Sequence, residues 1–271
     1  MYKGKFVIDS HCHIYPEKIA EKAIAGTDNF YGVKSFCKGT AADLIERETA
    51  AGVDRFIVQS VATTPKQVPS INEFIAGEVE KSKGRFIGFG TLYPDSPDLE
   101  ADYNHMISLG LKGVKLHPDI QQFKVDDFRC LKIYELCERD NIPILMHTGD
   151  YRYDFSNPNR ILPIMNIYTG LTLVGAHFGG WSVYDEACEK LKDLPNFYVD
   201  CSSTFGFGYC DREKIRNLIY TYGTDRVLFG TDYPMWKAED ELNMLSSLNL
   251  SDEDMTKILA ENAKRVFRIG D

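Results

Sequence analysis

The chain has 271 residues, 44% of them hydrophobic and 26% charged, enough to bury a sizeable core. Its formal charge of −9 argues against a nucleic-acid binder, which needs clustered Lys and Arg to displace counterions from phosphates. No run approaches the ~18 apolar residues of a membrane span, and Met1-Tyr2-Lys3-Gly4-Lys5-Phe6 lacks the apolar stretch of a secretory signal, so a cytoplasmic protein without membrane partners is expected.

Short β-branched runs alternate with amphipathic stretches, the order that stacks βαβ units into a parallel sheet. The strands expected are 6–9, 55–60, 86–92, 113–116, 143–146, 172–176, 197–200 and 227–229. The helices between them are 41–51, 71–83, 99–109, 128–140, 159–169, 184–194, 212–222 and 239–248. Eight such units make an α/β fold, a single (β/α)8 TIM barrel with a parallel sheet, occupying residues 1–271 as one domain. Residues 14–39 and 150–158 read as long loops that shape a pocket with Tyr15, Phe30, Tyr31, Phe36, Tyr151, Arg152 and Tyr153. Gly52, Gly84, Gly110, Gly170 and Gly223 each follow an amphipathic stretch, where a left-handed residue closes a helix. Ser251-Asp252-Glu253 opens an extra C-terminal helical segment, a serine cap followed by acids. The seven cysteines are scattered without a Cys-x-x-Cys pair and read as reduced, mostly buried thiols.

In such a barrel the chemistry sits at the C-terminal ends of the strands. Five of the six histidines fall there: His11 and His13 after the first strand, His117 after the fourth, His147 after the fifth and His177 after the sixth. His105 lies inside a helix and reads as a surface residue. Within Asp9-Ser10-His11-Cys12-His13, residues two apart on extended backbone point to the same side. His11 and His13 can therefore hold one ion together, while Cys12 faces away. Neutral imidazoles suit zinc, manganese, iron or cobalt. At the other end of the chain, Phe229-Gly230-Thr231-Asp232-Tyr233-Pro234 sets a carboxylate beyond the eighth strand, which neighbours the first in a closed barrel. Asp232 can then both ligate an ion and take a proton.

Further segments extend the pattern: Val114-Lys115-Leu116-His117-Pro118, Met146-His147-Thr148-Gly149, Ala176-His177-Phe178-Gly179-Gly180 and Asn262-Ala263-Lys264-Arg265-Val266-Phe267. With Ile8-Asp9-Ser10-His11-Cys12-His13 and the Asp232 segment, in this order, the chain resembles the amidohydrolase superfamily. The likeness is to its amidohydrolase-related branch, which includes aminocarboxymuconate-semialdehyde decarboxylase and related hydrolases. The resemblance implies one divalent metal ion, zinc (Zn2+) first with Mn2+, Fe2+ or Co2+ as alternatives, held by His11, His13, His147 and Asp232. It implies His177 as a catalytic residue beside the ion, with a pKa near neutrality suited to moving protons. Some superfamily members carry a carboxylated lysine that bridges two metals at the end of the fourth strand; Lys115 could be read that way, although the branch is typically mononuclear.

His117 is assigned to substrate binding, the alternative being a histidine hydrogen-bonded beneath the Pro118 turn. Arg152 is assigned to a substrate carboxylate, against the alternative of a solvated loop arginine. The expected reaction is hydrolysis of a small-molecule amide, lactone or ester by a metal-activated water, with Asp232 taking the proton. Nonoxidative decarboxylation of an aromatic or enoic carboxylic acid by a carboxy-lyase is the alternative. A homodimer is expected only from the commonness of two-fold assemblies.

Overall fold

In the computed structural model, which describes residues 1–270, eight parallel strands pair in sequence order. They are β1 (Ile8–His13), β2 (Arg55–Gln59), β3 (Phe86–Thr91), β4 (Gly113–Leu116), β5 (Ile144–Met146), β6 (Leu173–Gly175), β7 (Phe197–Asp200) and β8 (Val227–Leu228). The ring closes where the Ser10 N–H donates to the Phe229 carbonyl at 2.9 Å and Cys12 bridges Tyr233. The expected (β/α)8 barrel is therefore the fold.

Around it run α1 (Glu17–Tyr31), α2 (Ala41–Ala51), α3 (Val68–Lys81), α4 (Leu99–Ser108), the short α5 (Pro118–Gln121), α6 (Leu131–Asp140) and α7 (Pro158–Ile167). They are followed by α8 (Tyr184–Leu191), α9 (Arg212–Tyr222), α10 (Ala238–Ser246), α11 (Asp252–Thr256) and α12 (Asn262–Phe267). Ser251 caps α11 as expected, its hydroxyl accepting from the Asp254 N–H at 3.0 Å.

Alternation along the strands divides the core in two. Val7, Phe56, Val114, Ile144 and Val199 face the helices, whereas Ile8, Ile57, Phe89, Leu145, Val174 and Leu228 point into the barrel. The extra C-terminal segment seals that interior from below with Ala260, Ala263, Val266 and Phe267. Phe267 meets Phe89 edge to face at a centroid distance of 5.0 Å. Gly113 makes room for Phe89, because a Cβ there would lie 2.5 Å from its ring.

Two expectations are corrected. Most of 14–39 is helix, not loop: α1 begins after Pro16 without a side-chain cap, and Ala20 is its one buried residue. The helical spacing of α1 is as marked as that of the helices expected, but the apolar side, with Ile19, Ala23 and Ile24, lines a cavity instead of packing into the core. Gly170 is not left-handed, and its N–H donates to the Glu138 carboxylate at 2.7 Å. Six of the cysteines are buried and Cys210 is half-buried, all of them free. Among the described residues no helix is long and apolar enough to cross a membrane.

Behind β1, the buried Glu48 of α2 accepts the Ala238 N–H that opens α10 at 2.7 Å. Burial, followed by the nearby charge of Asp9, pushes its carboxyl from 4.5 up to about 8. The folded chain thus keeps a proton that the unfolded chain releases, so this group costs stability as pH rises from about 4.5 toward about 8. Glu48→Gln keeps an acceptor oxygen without the charge and should flatten that loss, read as urea midpoints at pH 5 and pH 8. Phe267→Ala should cost about 3–5 kcal/mol in the same unfolding experiment, because it opens a cavity at the barrel floor.

Candidate metal centre

The two histidines of β1 reach the barrel interior because the strand bulges. Asp9 pairs with Phe56 and Cys12 with Val58, so Ser10 and His11 together oppose the single residue Ile57. The extra residue reverses the alternation: Ile8 points inward, and so do His11 and His13, while Cys12 packs into the outer core as expected. Gly230 lies alongside, where a Cβ would stand 3.1 Å from the His11 Cβ. Two residues on, Asp232 takes a left-handed conformation with φ 61°, as His177 does at φ 57°. Such backbone costs roughly 1–3 kcal/mol per residue and gathers at functional sites.

His11, His13 and Asp232 form a group whose ligand atoms all lie within 4.8 Å of one another. His11 Nε2 is 3.2 Å from His13 Nε2 and 3.3 Å from Asp232 Oδ1, and His13 Nε2 is 3.5 Å from the same oxygen. Bonds of ~2.0–2.1 Å to a tetrahedral ion set its ligand atoms about 3.3 Å apart, so these side chains fit a divalent cation as they stand. The other Asp232 oxygen accepts from the Ser203 hydroxyl at 2.6 Å.

Asp200, at the end of β7, determines which nitrogen of His11 faces the site. Its Oδ2 takes the His11 Nδ1 proton at 2.9 Å, and its Oδ1 accepts from the His177 and Ser202 N–H groups and the Ser202 hydroxyl. Burial alone would raise this carboxyl, but the partnership with His11 holds it well below the ordinary range. His11 Nε2 is thus left with its lone pair. His177 is set the same way, because its Nδ1 lies 2.9 Å from the Ser202 carbonyl, which only accepts. A hydrogen bond from one nitrogen of a neutral imidazole to a carboxylate or carbonyl makes the other nitrogen a better ligand or base.

His147 sits apart from the first group and belongs to a second, with His117 and Asp119. Its ring stacks flat on His117 with centroids 4.0 Å apart, and its Nδ1 faces His177 Nε2 at 3.1 Å. His117 Nδ1 accepts from the Ile120 N–H beneath the Pro118 turn, the alternative expected for it, and its ring lines the cavity. Tyr31, from the end of α1, places its hydroxyl 2.8 Å from His117 Nε2 and 3.4 Å from His147 Nδ1. Burial lowers His13, His117 and His147 well below 6.5 and takes His177 down to about 4. His177 is therefore a neutral acceptor at pH 7 instead of the near-neutral titrating group expected. Burial also raises Asp119 to about 7.

Lys115 is wholly buried at the floor, its ammonium 2.8 Å from His11 Nε2, and burial pushes it down to about 8. It holds the same lone pair that a cation would take. Above it opens a cavity of about 780 Å³ between α1 and α3, walled by Ile19, Ala23, Ile71 and Phe74. Arg152 does not line this cavity. Its guanidinium forks onto Asp150, donates to the Phe30 carbonyl at 2.6 Å and lies over Phe30, Tyr31, Tyr153 and Trp181, so it clamps α1 to the loop after β5.

Asp200 and Asp119 escape sequence reasoning, whereas Tyr31 was expected among the pocket residues and lines the cavity. Asp200 carried a usable signal, since an acid ending a buried strand is what singles out Asp232. Asp119 carried none, because its role depends on the turn after His117, and for Tyr31 only its hydrogen-bond partners His117 and His147 needed the folded chain.

An amidohydrolase family model matches residues 8–269. Among solved structures, 5-carboxyvanillate decarboxylase from Sphingomonas paucimobilis superposes with a TM-score of 0.77 at 14% identity, covering 98% of this chain and 100% of the other. A dihydroxybenzoic acid decarboxylase from a Polaromonas species, solved with manganese and 2-nitroresorcinol, gives 0.71 at 16% identity over 97% of each chain. A putative 2-pyrone-4,6-dicarboxylic acid hydrolase from Pseudomonas putida gives 0.70 at 17% identity, also over 97% of each chain. At these identities the likeness is one of fold.

Asp200→Asn leaves the shape but removes the carboxylate that fixes His11. It should weaken cation affinity by about 10–100-fold in a competition titration with a chromogenic chelator; an unchanged affinity would show that His11 needs no such partner.

Proposed function

This chain belongs to the amidohydrolase family, and from that premise we propose that it is a metal-dependent hydrolase of small-molecule amides, lactones or esters. The observation that carries this reading is the group of His11, His13 and Asp232, with ligand atoms 3.2–3.5 Å apart at the foot of a largely apolar cavity. His147 is proposed as the fourth ligand, its Nδ1 standing 3.1 Å from His177 Nε2. When bound, the cation, zinc first and manganese, iron or cobalt next, would polarise a substrate oxygen and make a water molecule more acidic.

The chain's own groups supply the proton handling. Asp232 offers a carboxylate at the cavity edge, steadied by Ser203 through its second oxygen. His177, neutral with an outward lone pair, can accept a proton and return it to a leaving group. Tyr31 and His117 line the wall on the side of His147 and are proposed as substrate contacts. The apolar walls favour a compact substrate with an alkyl or aryl body over a highly polar one.

Nonoxidative decarboxylation is the second reading, favoured by the two decarboxylases among the similar folds. Purified protein incubated with lactone, ester, amide and hydroxybenzoate panels should release acid or alcohol without carbon dioxide. Release of carbon dioxide without hydrolysis would replace the first reading with the second. Chelator treatment should abolish turnover and added zinc, manganese or cobalt restore it, and His13→Ala should lower it by about 10²–10⁴-fold. Full activity in chelated protein would overturn both readings.

A further inference from the structure

The tautomers around His147 can be followed bond by bond. The Ile120 N–H donates to His117 Nδ1 at 3.2 Å, so the neutral ring carries its proton on Nε2 and gives it to the Tyr31 oxygen at 2.8 Å. The Tyr31 hydrogen then turns to its other neighbour, His147 Nδ1, at 3.4 Å. From the opposite side His177 Nε2 approaches the same atom at 3.1 Å, and it too presents a lone pair, because Nδ1 of His177 donates to the Ser202 carbonyl. His147 Nδ1 thus accepts from the Tyr31 hydroxyl beside the His177 lone pair, and the single proton of the ring resides on Nε2.

That Nε2 is buried without a hydrogen-bond partner among the described residues, and so is Asp119 Oδ1. The two groups stand side by side, with Nε2 3.6 Å from Asp119 Oδ2. The Ser156 hydroxyl holds that Oδ2 at 2.6 Å, and Asp119 lies within the turn that His117 caps. A shift of under about an ångström brings the pair to hydrogen-bond distance.

We propose that Asp119 is the positioning carboxylate of His147: it binds the Nε2 proton and so fixes Nδ1 toward the cation. This inference rests on the reading of His147 as a cation ligand. Asp119 then does for His147 what Asp200 does for His11, through the opposite ring nitrogen. A separate ion between His117, Asp119 and His147 is a poorer fit, because the two rings lie within 5° of parallel and their in-plane lone pairs run side by side. Both His117 nitrogens are also engaged already.

The test uses cobalt(II) alone, titrated into cation-free wild-type and Asp119→Asn protein and followed by visible absorption and bound-metal analysis. The variant should bind the same number of ions about 10–100-fold more weakly, with an altered cobalt spectrum and an unchanged urea midpoint for the cation-free chain. Equal affinity and spectrum would overturn the inference. So would loss of one ion from a wild-type pair, which would make Asp119 a ligand of a second site. A wild-type chain that binds no cobalt would bring down the metal-centre reading itself, and this inference with it. Long-range 15N NMR of the zinc-loaded wild type gives a check that needs no variant: Nδ1 of His147 should be ligated and Nε2 protonated, and the reverse would contradict the proposal.

Discussion

The hydrogen bond from His11 Nδ1 to Asp200, 2.9 Å long and wholly inside the barrel, is the interaction on which the site depends. A carboxylate buried there is costly unless every lone pair is used. Asp200 is spared that cost by two backbone N–H groups, the Ser202 hydroxyl and the imidazole. Because it remains an anion, it can accept only, and this settles the tautomer of His11. The lone pair at Nε2 is thus a consequence of how a buried carboxylate on β7 is satisfied.

Placing that lone pair beside His13 and Asp232 is the work of the barrel seam. β1 bulges so that both of its histidines turn inward, and the closing contacts from Ser10 to Phe229 and from Cys12 to Tyr233 carry Asp232 to them. Asp9 locks the same seam by accepting from the His11 and Thr231 N–H groups and the Thr231 hydroxyl. Below, the C-terminal helix fills the interior with apolar groups, so the polar layer has a dry floor and opens in one direction, into the cavity. A low-dielectric floor strengthens each of the polar contacts above it and penalises any that is left unmade.

Much of this was legible in the sequence because strand periodicity and strand-end polarity are local signals. The eight strands, the outward Cys12 and the helical segment after Ser251 follow from residues close together in the chain, and the convergence of Asp232 on His11 and His13 follows from closing a barrel of eight strands. The bulge in β1 was not legible, since a two-against-one register exists only relative to β2. α1 carries a readable helical spacing, and only the folded chain reveals that its apolar side faces a cavity. Arg152 illustrates a different limit. Its residue type suits a substrate carboxylate, but Asp150 and the Phe30 carbonyl are nearer partners, and only the folded chain reveals them. Burial accounts for His177: the sequence gives a histidine at a strand end, while its titration near 4 depends on a shell of neighbours drawn from four strands.

The central claim is that imidazole nitrogens and the Asp232 carboxylate, without sulfur, hold a divalent cation at the barrel mouth. X-ray absorption at the zinc edge of zinc-loaded protein tests it most directly. The account predicts nitrogen and oxygen neighbours at about 2.0–2.1 Å with the outer-shell scattering of at least two imidazoles. A sulfur shell at about 2.3 Å, which would mean that Cys12 or another thiol binds the ion, or a spectrum without imidazole scattering, would contradict it.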